Sequence, residues 1–339
     1  MKRFALFLFS VCLLIVALAA AVSTSSSDKP KPDGKTLIEA AEDKADIFAL
    51  PSFGLKANLR IENLGKMLQG SYSLSWNGQD KWREEISVPG YTEIQVGGKD
   101  VVYRERNTDF LPVRIDQLHL ALGFGTGGSP RSTFVRMGPT PNETVKKVHD
   151  RNERGLKLSC VEIEAAFLDR LKATRDVCVD QSTGTLVRQG SFVDGSPEPI
   201  GAKMFPRSLS YVEDGRPLVE IQITEIQASQ PFQESTFEPP AGSISKPGCM
   251  NPVPAYILKQ IPPKYPDQER ASRTEGKVLM YALLGADGVP QQLRVVSGVS
   301  PRLNGASVNA VQQWRYAPPT CSGHAVEAET IVTITYKMS

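Results

Sequence analysis

The stretch that decides the fold of the C-terminal part is YPDQERASRTEGKVLMYALLGADGVPQQLRVVSG, residues 265–298, followed at residues 303–319 by LNGASVNAVQQWRYAPP. It contains a Tyr-Pro pair, a glycine before an apolar run, an Asp-Gly turn, a second run and a segment with helical spacing. Asp-Gly between two apolar runs is typical of a β-hairpin. Together with a last β run at residues 328–338, this order predicts a small α+β unit of two helices and three strands.

The apolar runs also predict which strand faces are buried. In the first run, residues 277–284, both faces are apolar, which is unusual for a sheet with one face in water. In the last run, one set of alternating side chains is predicted to face a helix: Val332, Ile334 and Tyr336. The alternate set is predicted to face outward: Ile331, Thr333 and Thr335. If this strand lies at a sheet edge, its unpaired N–H and C=O groups can accept another chain.

Residues 36–240 alternate between apolar and polar side chains in short runs bounded by Gly, Pro, Asn or Asp. Such runs predict antiparallel strands, and helical spacing interrupts them at residues 36–48 and 112–122. The predicted fold class is α+β: a curved antiparallel β half-barrel-like domain with one or two helices, followed by the small two-helix, three-strand domain at residues 255–339. A Pro- and Gly-rich segment, residues 241–254, is predicted to link the two.

The N-terminus indicates export. Lys2 and Arg3 precede an apolar run that ends in small residues, so residues 1–22 fit a signal peptide or an N-terminal membrane anchor. Both readings stay open, and both send the rest of the chain out of the cytosol. A polar linker follows at residues 23–35. The formal net charge is only +2, without a clustered basic face, which argues against nucleic-acid binding.

Four cysteines lie in the exported part, and they allow three pairings. An oxidising compartment favours disulfide bonds. Cys160 and Cys178 lie in runs that read as neighbouring strands, so they are predicted to pair, which leaves Cys249 to pair with Cys321. No two cysteines have the short spacing typical of zinc sites, and no metal is expected.

The sequence contains no catalytic constellation. None of the three histidines has a partner at metal-ligand spacing or a neighbouring nucleophile: His119, His149 and His324. Glu84 and Glu85 are adjacent in a predicted strand, so they point to opposite faces and cannot form an acid–base pair. A non-enzymatic protein without a cofactor is therefore expected.

The C-terminal residues resemble the C-terminal domain of the TonB family of energy transducers. The residues that carry the resemblance are Tyr265, Pro266, Gly276, Val278, Asp287, Gly288, Val295, Ser297, Leu303, Ala306, Val308, Trp314, Arg315, Tyr316, Pro318 and Gly323. The resemblance implies a periplasmic domain that pairs an edge strand, or the segment next to Tyr-Pro, with an extended peptide of an outer-membrane receptor. The partner-binding residues it implies are Gln260, Pro263, Lys264, Tyr265, Ile331, Thr333 and Thr335.

Residues 36–240 are similar in pattern to LolA-type periplasmic lipoprotein carriers, through the strand order, WNGQDKWREE at residues 76–85 and FEPP at residues 237–240. That likeness implies an apolar concave face able to hold an acyl chain. The chain also departs from motor-coupled TonB proteins. Its first histidine is His119, so the N-terminal apolar segment carries none, and a folded domain stands where those proteins have a long Pro-rich spacer.

Three functional hypotheses follow. The first is a periplasmic protein that binds an outer-membrane TonB-dependent receptor, or another envelope protein, by β-strand addition, with energy transduction for transport as its extension. The second is a lipid- or lipoprotein-binding carrier with a TonB-like docking domain. The third is a structural envelope protein that self-associates through its edge strand, as in a homodimer.

Overall fold

A computed structural model describes residues 33–63, 65–78, 81–98, 100–122, 143–167, 171–249, 252–253 and 255–338. The predicted signal peptide or anchor, residues 1–22, and most of the predicted linker at residues 23–35 lie outside these ranges. Within them, no helix combines the length and the apolar character needed to cross a membrane.

The described chain is mostly β, with few helices. Its strands are β1 (Phe53–Asn63), β2 (Lys66–Trp76), β3 (Trp82–Val88), β4 (Tyr91–Gly97), β5 (Val101–Arg106), β6 (Glu143–Glu153), β7 (Leu156–Phe167), β8 (Leu171–Asp180), β9 (Leu186–Gln189), β10 (Phe192–Asp194), β11 (Pro197–Ile200), β12 (Lys203–Pro206), β13 (Ser208–Glu213), β14 (Arg216–Ala228), β15 (Ile244–Pro247), β16 (Pro252–Val253), β17 (Tyr256–Lys259), β18 (Gly276–Leu284), β19 (Pro290–Ser297), β20 (Arg315–Ala317), β21 (Thr320–Cys321), β22 (His324–Ala325) and β23 (Ala328–Tyr336). Its helices are α1 (Gly34–Ala45), α2 (Val113–Leu122), α3 (Asp267–Ala271) and α4 (Pro301–Val311).

Most of the strands before residue 250 form one antiparallel sheet, called here the large sheet. Its order is β15-β5-β4-β3-β2-β1-β14-β13-β10-β9-β8-β7-β6. Neighbours in the chain are mostly neighbours in the sheet, as expected of a series of hairpins. The main exceptions are β14, which returns to pair with β1, and β15, which pairs with β5. Within the described residues β15 and β6 are its two edges, so the sheet is open, as a half-barrel requires.

One face of the large sheet is covered by α1 and α2. Ile38 of α1 and Ile115 and Leu118 of α2 are almost completely buried in the same cluster as Trp76 and Trp82 of the sheet. The two helices lie where the helical spacing predicted them. The apolar face of the large sheet is therefore filled by the protein's own helices and side chains.

The C-terminal unit is built on a second antiparallel sheet, the small sheet, in the order β19-β18-β23. Val278 and Met280 of β18 pack in one buried cluster with Leu303 of α4 and with Trp314. The Asp-Gly turn joins β18 to β19 as predicted. Gly288 has a φ of +75°, and a Cβ there would collide with the Tyr316 carbonyl group, so the turn requires glycine. With α3 and α4, the unit has the predicted two helices and three main strands, to which the short β16–β21–β22 and β17–β20 pairs are added.

The segment predicted to be a linker, residues 241–254, contains regular structure instead. Ile244–Pro247 is β15, which pairs with β5 at the edge of the large sheet, and Pro252–Val253 is β16, which pairs with β21. A strand can form here despite the Pro-rich sequence because an edge strand does not need every N–H in a ladder. The two predicted domains thus continue directly into each other, within one compact unit, Asp33–Ser339.

Both predicted disulfide bonds are present. Cys160 and Cys178 lie directly opposite each other on β7 and β8. Cys249, two residues after β15, is bonded to Cys321 in β21. The first bond therefore lies within the large sheet, while the second ties the end of the large sheet to the C-terminal unit.

Candidate functional site

The candidate docking surface is the free edge of β23. Among the described strands β23 pairs only with β18, and its Thr333 and Thr335 lie opposite Leu279 and Lys277. Alternate N–H and C=O groups of an antiparallel edge strand point away from the sheet, so this edge can bond to an added strand. Thr333 and Thr335 are exposed, as predicted. The side chains predicted to face the helix are all buried: Val332, Ile334 and Tyr336.

The segment at residues 260–265 meets the end of this strand. The Tyr265 and Tyr336 rings are in edge-to-face contact with centroids 5.2 Å apart, and the Tyr265 hydroxyl donates to the Thr274 carbonyl oxygen at 2.5 Å. The Trp314 indole donates to the Ile261 carbonyl oxygen at 2.8 Å, which fixes the segment to the C-terminal unit. The other predicted contact residues here are exposed or half-buried: Gln260, Pro263 and Lys264.

The second apolar face of β18 packs against the large-sheet part of the protein. Tyr281 is buried in the core cluster that includes α2, and its ring lies 6.1 Å from the Phe110 ring. Val296 and Ile331 are partly buried against the same cluster. The small sheet therefore lies between its own helices and the large sheet, which explains why both faces of β18 are apolar. The prediction that Ile331 faces outward is wrong, because its side chain is half-buried under the large-sheet core.

Glu329, near the start of β23, is held by two arginines of β5, and these three residues are called here the Glu329 clamp. Arg104 donates to Glu329 Oε2 at 2.6 Å, and Arg106 donates to Oε1 at 2.7 Å. The Tyr281 hydroxyl donates to Oε1 at 2.9 Å. The three charged side chains are only 8–11% exposed. The clamp is therefore a buried ionic link between the large sheet and the candidate docking strand.

The clamp has a definite charge state. Burial by itself raises the pKa of Glu329, but the hydrogen bond from Arg106 and the positive charges of Arg104, Arg106 and Lys246 outweigh it and lower the pKa to about 2. Glu329 is thus ionised across the neutral range. Its negative charge offsets part of the positive charge of the two arginines inside the protein.

Further ionisable groups continue from the clamp into the covered face of the large sheet. Glu93, 1% exposed, lies 3.9 Å from Arg104 and accepts a hydrogen bond from Gln95 at 3.0 Å. On the neighbouring strand Glu84 lies 3.4 Å from His119 of α2. Burial alone lowers the pKa of His119, but the negative charges of Glu84, Glu93 and Asp116 outweigh it and raise the pKa to about 9. His119 is therefore a buried imidazolium at neutral pH.

We expect the stability of the protein to fall as His119 loses its proton. Its pKa is about 9 in the folded chain and about 6.5 in the unfolded chain, so its contribution is complete below pH 6.5 and is lost as the pH rises through 9. The difference corresponds to about 3 kcal/mol in the free energy of unfolding. Urea denaturation at pH 6, 7.5 and 9.5 measures it. The His119→Gln variant should lack this decline, and an equal decline in both proteins would contradict the assignment.

The Glu329 clamp was not found from the sequence, although a signal was present. In VVYRER, residues 101–106, alternation places Arg104 and Arg106 on the same face as Val102. Two arginines on a buried face require a buried carboxylate as partner. The sequence around residues 101–106 does not indicate that this carboxylate belongs to Glu329. In the described part of the chain, no group of three or more His, Cys, Asp or Glu is arranged to hold a metal ion.

Comparison with known proteins identifies the C-terminal unit. Residues 261–338 match the family described as Gram-negative bacterial TonB protein C-terminal, which confirms the resemblance of this region. Protein TonB of Vibrio cholerae serotype O1 (strain ATCC 39315 / El Tor Inaba N16961) is 31% identical over 114 residues. This alignment covers 33% of the chain and 44% of the relative, so the chain spans less than half of that protein's length.

Two solved structures show limited similarity to this chain. The solution NMR structure of the Pseudomonas aeruginosa TonB CTD is 25% identical, covers 27% of this chain and 93% of that one, and gives a TM-score of 0.24. The crystal structure of a LolA superfamily protein from Nitrosomonas europaea is 12% identical, covers 60% of this chain and 96% of that one, and gives a TM-score of 0.37.

Proposed function

We propose that this chain is a non-enzymatic periplasmic docking protein whose TonB-type C-terminal unit binds an extended segment of an outer-membrane transport receptor by β-strand addition. The observation that carries the proposal is the free edge of β23 within a region that matches the TonB C-terminal family. Strand addition uses backbone hydrogen bonds for affinity and alternate side chains for specificity, so it requires no catalytic group.

The geometry of the edge supports a set of proposed contact residues. Thr333 and Thr335 are exposed on β23 and would lie beside alternate side chains of the added strand. Ile331 would contribute through its backbone, because its side chain packs on the core. At the other end of the edge, Tyr265 is held against Tyr336, so the added strand would leave the edge beside residues 260–264. On this basis Gln260, Pro263 and Lys264 are included in the proposed contact.

Energy transduction for transport is an extension of this proposal. A pulling force applied before residue 33 would have to reach β23 through the large sheet. Three ties support such a path: the pairing of β15 with β5, the Cys249–Cys321 bond and the Glu329 clamp. A folded domain with these ties would take the place of a flexible spacer.

The Thr333→Pro variant should lose binding of its receptor. Proline removes the Thr333 N–H and its ring obstructs an adjacent strand. We expect at least about tenfold weaker binding, equivalent to about 1.4 kcal/mol. The receptor is first identified by placing a photo-crosslinking amino acid at Thr333 in the full chain and analysing the products from outer-membrane extract by mass spectrometry. Affinity is then measured by calorimetry with the receptor and with its N-terminal peptide.

The matched control is Thr333→Val, which keeps the N–H and the shape of the side chain and should bind like the unsubstituted protein. Melting temperatures of both variants show whether the fold is kept. Unchanged affinity of a folded Thr333→Pro variant would exclude the edge of β23. Cross-links that join two copies of this chain would instead indicate self-association.

A further inference from the structure

The two halves of β23 differ in how far they are covered. Ala328, Glu329, Thr330 and Ile331 are all half-buried, whereas Thr333 and Thr335 are exposed. The difference arises on the outer face, the one turned away from α4. There Glu329 is bonded to β5 and Ile331 packs against the large-sheet core, while the large sheet leaves Thr333 and Thr335 open.

An added strand needs room on that same face. Neighbouring strands lie about 4.8 Å apart, and every second side chain of the new strand would stand beside the outer-face side chains of β23. Beside Glu329 that region holds the guanidinium groups of Arg104 and Arg106, with the Lys246 ammonium 4.0 Å from the same carboxylate. Beside Thr333 and Thr335 the side chains are exposed.

The first half of β23 is also fixed in place. The carboxylate of Glu329 accepts from both arginines and from the Tyr281 hydroxyl, and all of these groups lie at the boundary of the two sheets. Moving this half toward a partner would break charge-assisted hydrogen bonds and leave buried charges unpaired. The second half has no such attachment to β5.

We propose that the large sheet confines strand addition to the second half of β23 and the residue after it, residues 332–337, and that Arg104 and Arg106 are the positioning residues that set this limit. The proposal rests on the proposed docking function and assigns the register of the same site. The partner is an extended peptide segment, and the arginines act on it only through Glu329. The large sheet is thereby part of the docking apparatus.

The test is a footprint by amide hydrogen exchange on the full chain, with and without the N-terminal peptide of the receptor cross-linked at Thr333. Alternate amides of residues 332–337 should exchange at least about tenfold more slowly with peptide, and those of residues 328–331 should not change. In the Arg104→Gln/Arg106→Gln variant the slowing should extend into residues 328–331. A purely structural role of the arginines would lower stability without moving the footprint.

Two further variants complete the test. Arg175→Gln/Arg188→Gln removes two arginines that are likewise paired with glutamates, Glu143 and Glu153, but lie away from β23 and are more exposed, at 26% and 25%; this variant should leave the footprint unchanged. Glu329→Gln keeps the shape of the clamp without its charge and replaces the double variant if that protein does not fold. It should also extend the footprint, and a footprint that stays confined in it would overturn the role of the arginines.

The outcomes separate this inference from the docking proposal. Slowed exchange along all of β23 in the unsubstituted protein would overturn the confinement and leave docking supported. If the peptide slows no amide of β23, the docking proposal itself fails. Slowing limited to residues 332–337 that spreads only when the clamp is removed supports both.

Discussion

The Glu329→Ala variant is expected to lower the free energy of unfolding by about 3–5 kcal/mol. Glu329 is 11% exposed and accepts from both Arg104 and Arg106, which are 10% and 8% exposed. Without its carboxylate Arg106 loses its ion pair, and Arg104 keeps only the more distant Glu93, 3.9 Å away. This costs far more than the loss of an exposed ion pair, for which about 0–1 kcal/mol is typical. Urea denaturation at pH 7 measures the difference.

The matched control is Glu327→Ala, two residues earlier and exposed, which should change stability by no more than about 0.5 kcal/mol. The loss of stability at low pH provides a second test of the clamp. The pKa of Glu329 is lowered from 4.5 to about 2, so its contribution is present above pH 4.5 and is lost as the pH falls toward 2. The alanine variant should lack this part of the acid sensitivity. Similar stability of the two alanine variants would show that the clamp is not an important tie.

Much of the local structure could be predicted because it depends on neighbours in the sequence. The Asp287-Gly288 turn, the alternation around Val332 and Ile334, and the spacing of α1 and α2 are all local signals. Cys160 and Cys178 could be paired because they lie in consecutive strands. Cys249 and Cys321 then followed by elimination. These predictions agree with the structure because local propensity and tertiary packing act in the same direction here.

The relation between the two sheets could not be predicted, since it depends on contacts between distant residues. The apolar second face of β18 was a clear signal that something covers it, but the sequence does not name Phe110 as the contact of Tyr281. The same holds for Glu329, which meets arginines more than two hundred residues away. The exposure of Ile331 was mispredicted for this reason: alternation gives the face on which a side chain lies, and the rest of the chain decides whether that face is covered. For the candidate docking surface, the exposed threonines of β23 were predictable, whereas the covered first half of the strand was not.

The Cys249→Ala/Cys321→Ala variant is expected to lower the free energy of unfolding by about 4 kcal/mol, because the bond closes a loop with a sequence separation of 72. The Cys160→Ala/Cys178→Ala variant is the matched control. Its loop has a separation of 18, so the expected loss is about 3 kcal/mol. The two variants should also lose protection from hydrogen exchange in different parts of the protein. Hydrogen exchange should quicken around β16 and β21 in the first and around β7 and β8 in the second.

Removing the Cys249–Cys321 bond and the Glu329 carboxylate together tests how the C-terminal unit is attached to the large sheet. The disulfide ties β21 to the end of β15, while the clamp ties β23 to β5, so the two ties act at different strands of the C-terminal unit. Because they share no residue, their effects should add within about 0.5 kcal/mol if each only stabilises the fold. If the disulfide bond and the clamp instead hold the same boundary between the two sheets, removing one of them opens that boundary. Removing the other should then lower the free energy of unfolding by less than it does alone. We expect this shortfall in the triple variant Cys249→Ala/Cys321→Ala/Glu329→Ala, because the outer face of the small sheet is covered only while that boundary stays closed. Full additivity would mean that the apolar contacts of Tyr281 and Ile331 hold the two sheets together without either tie.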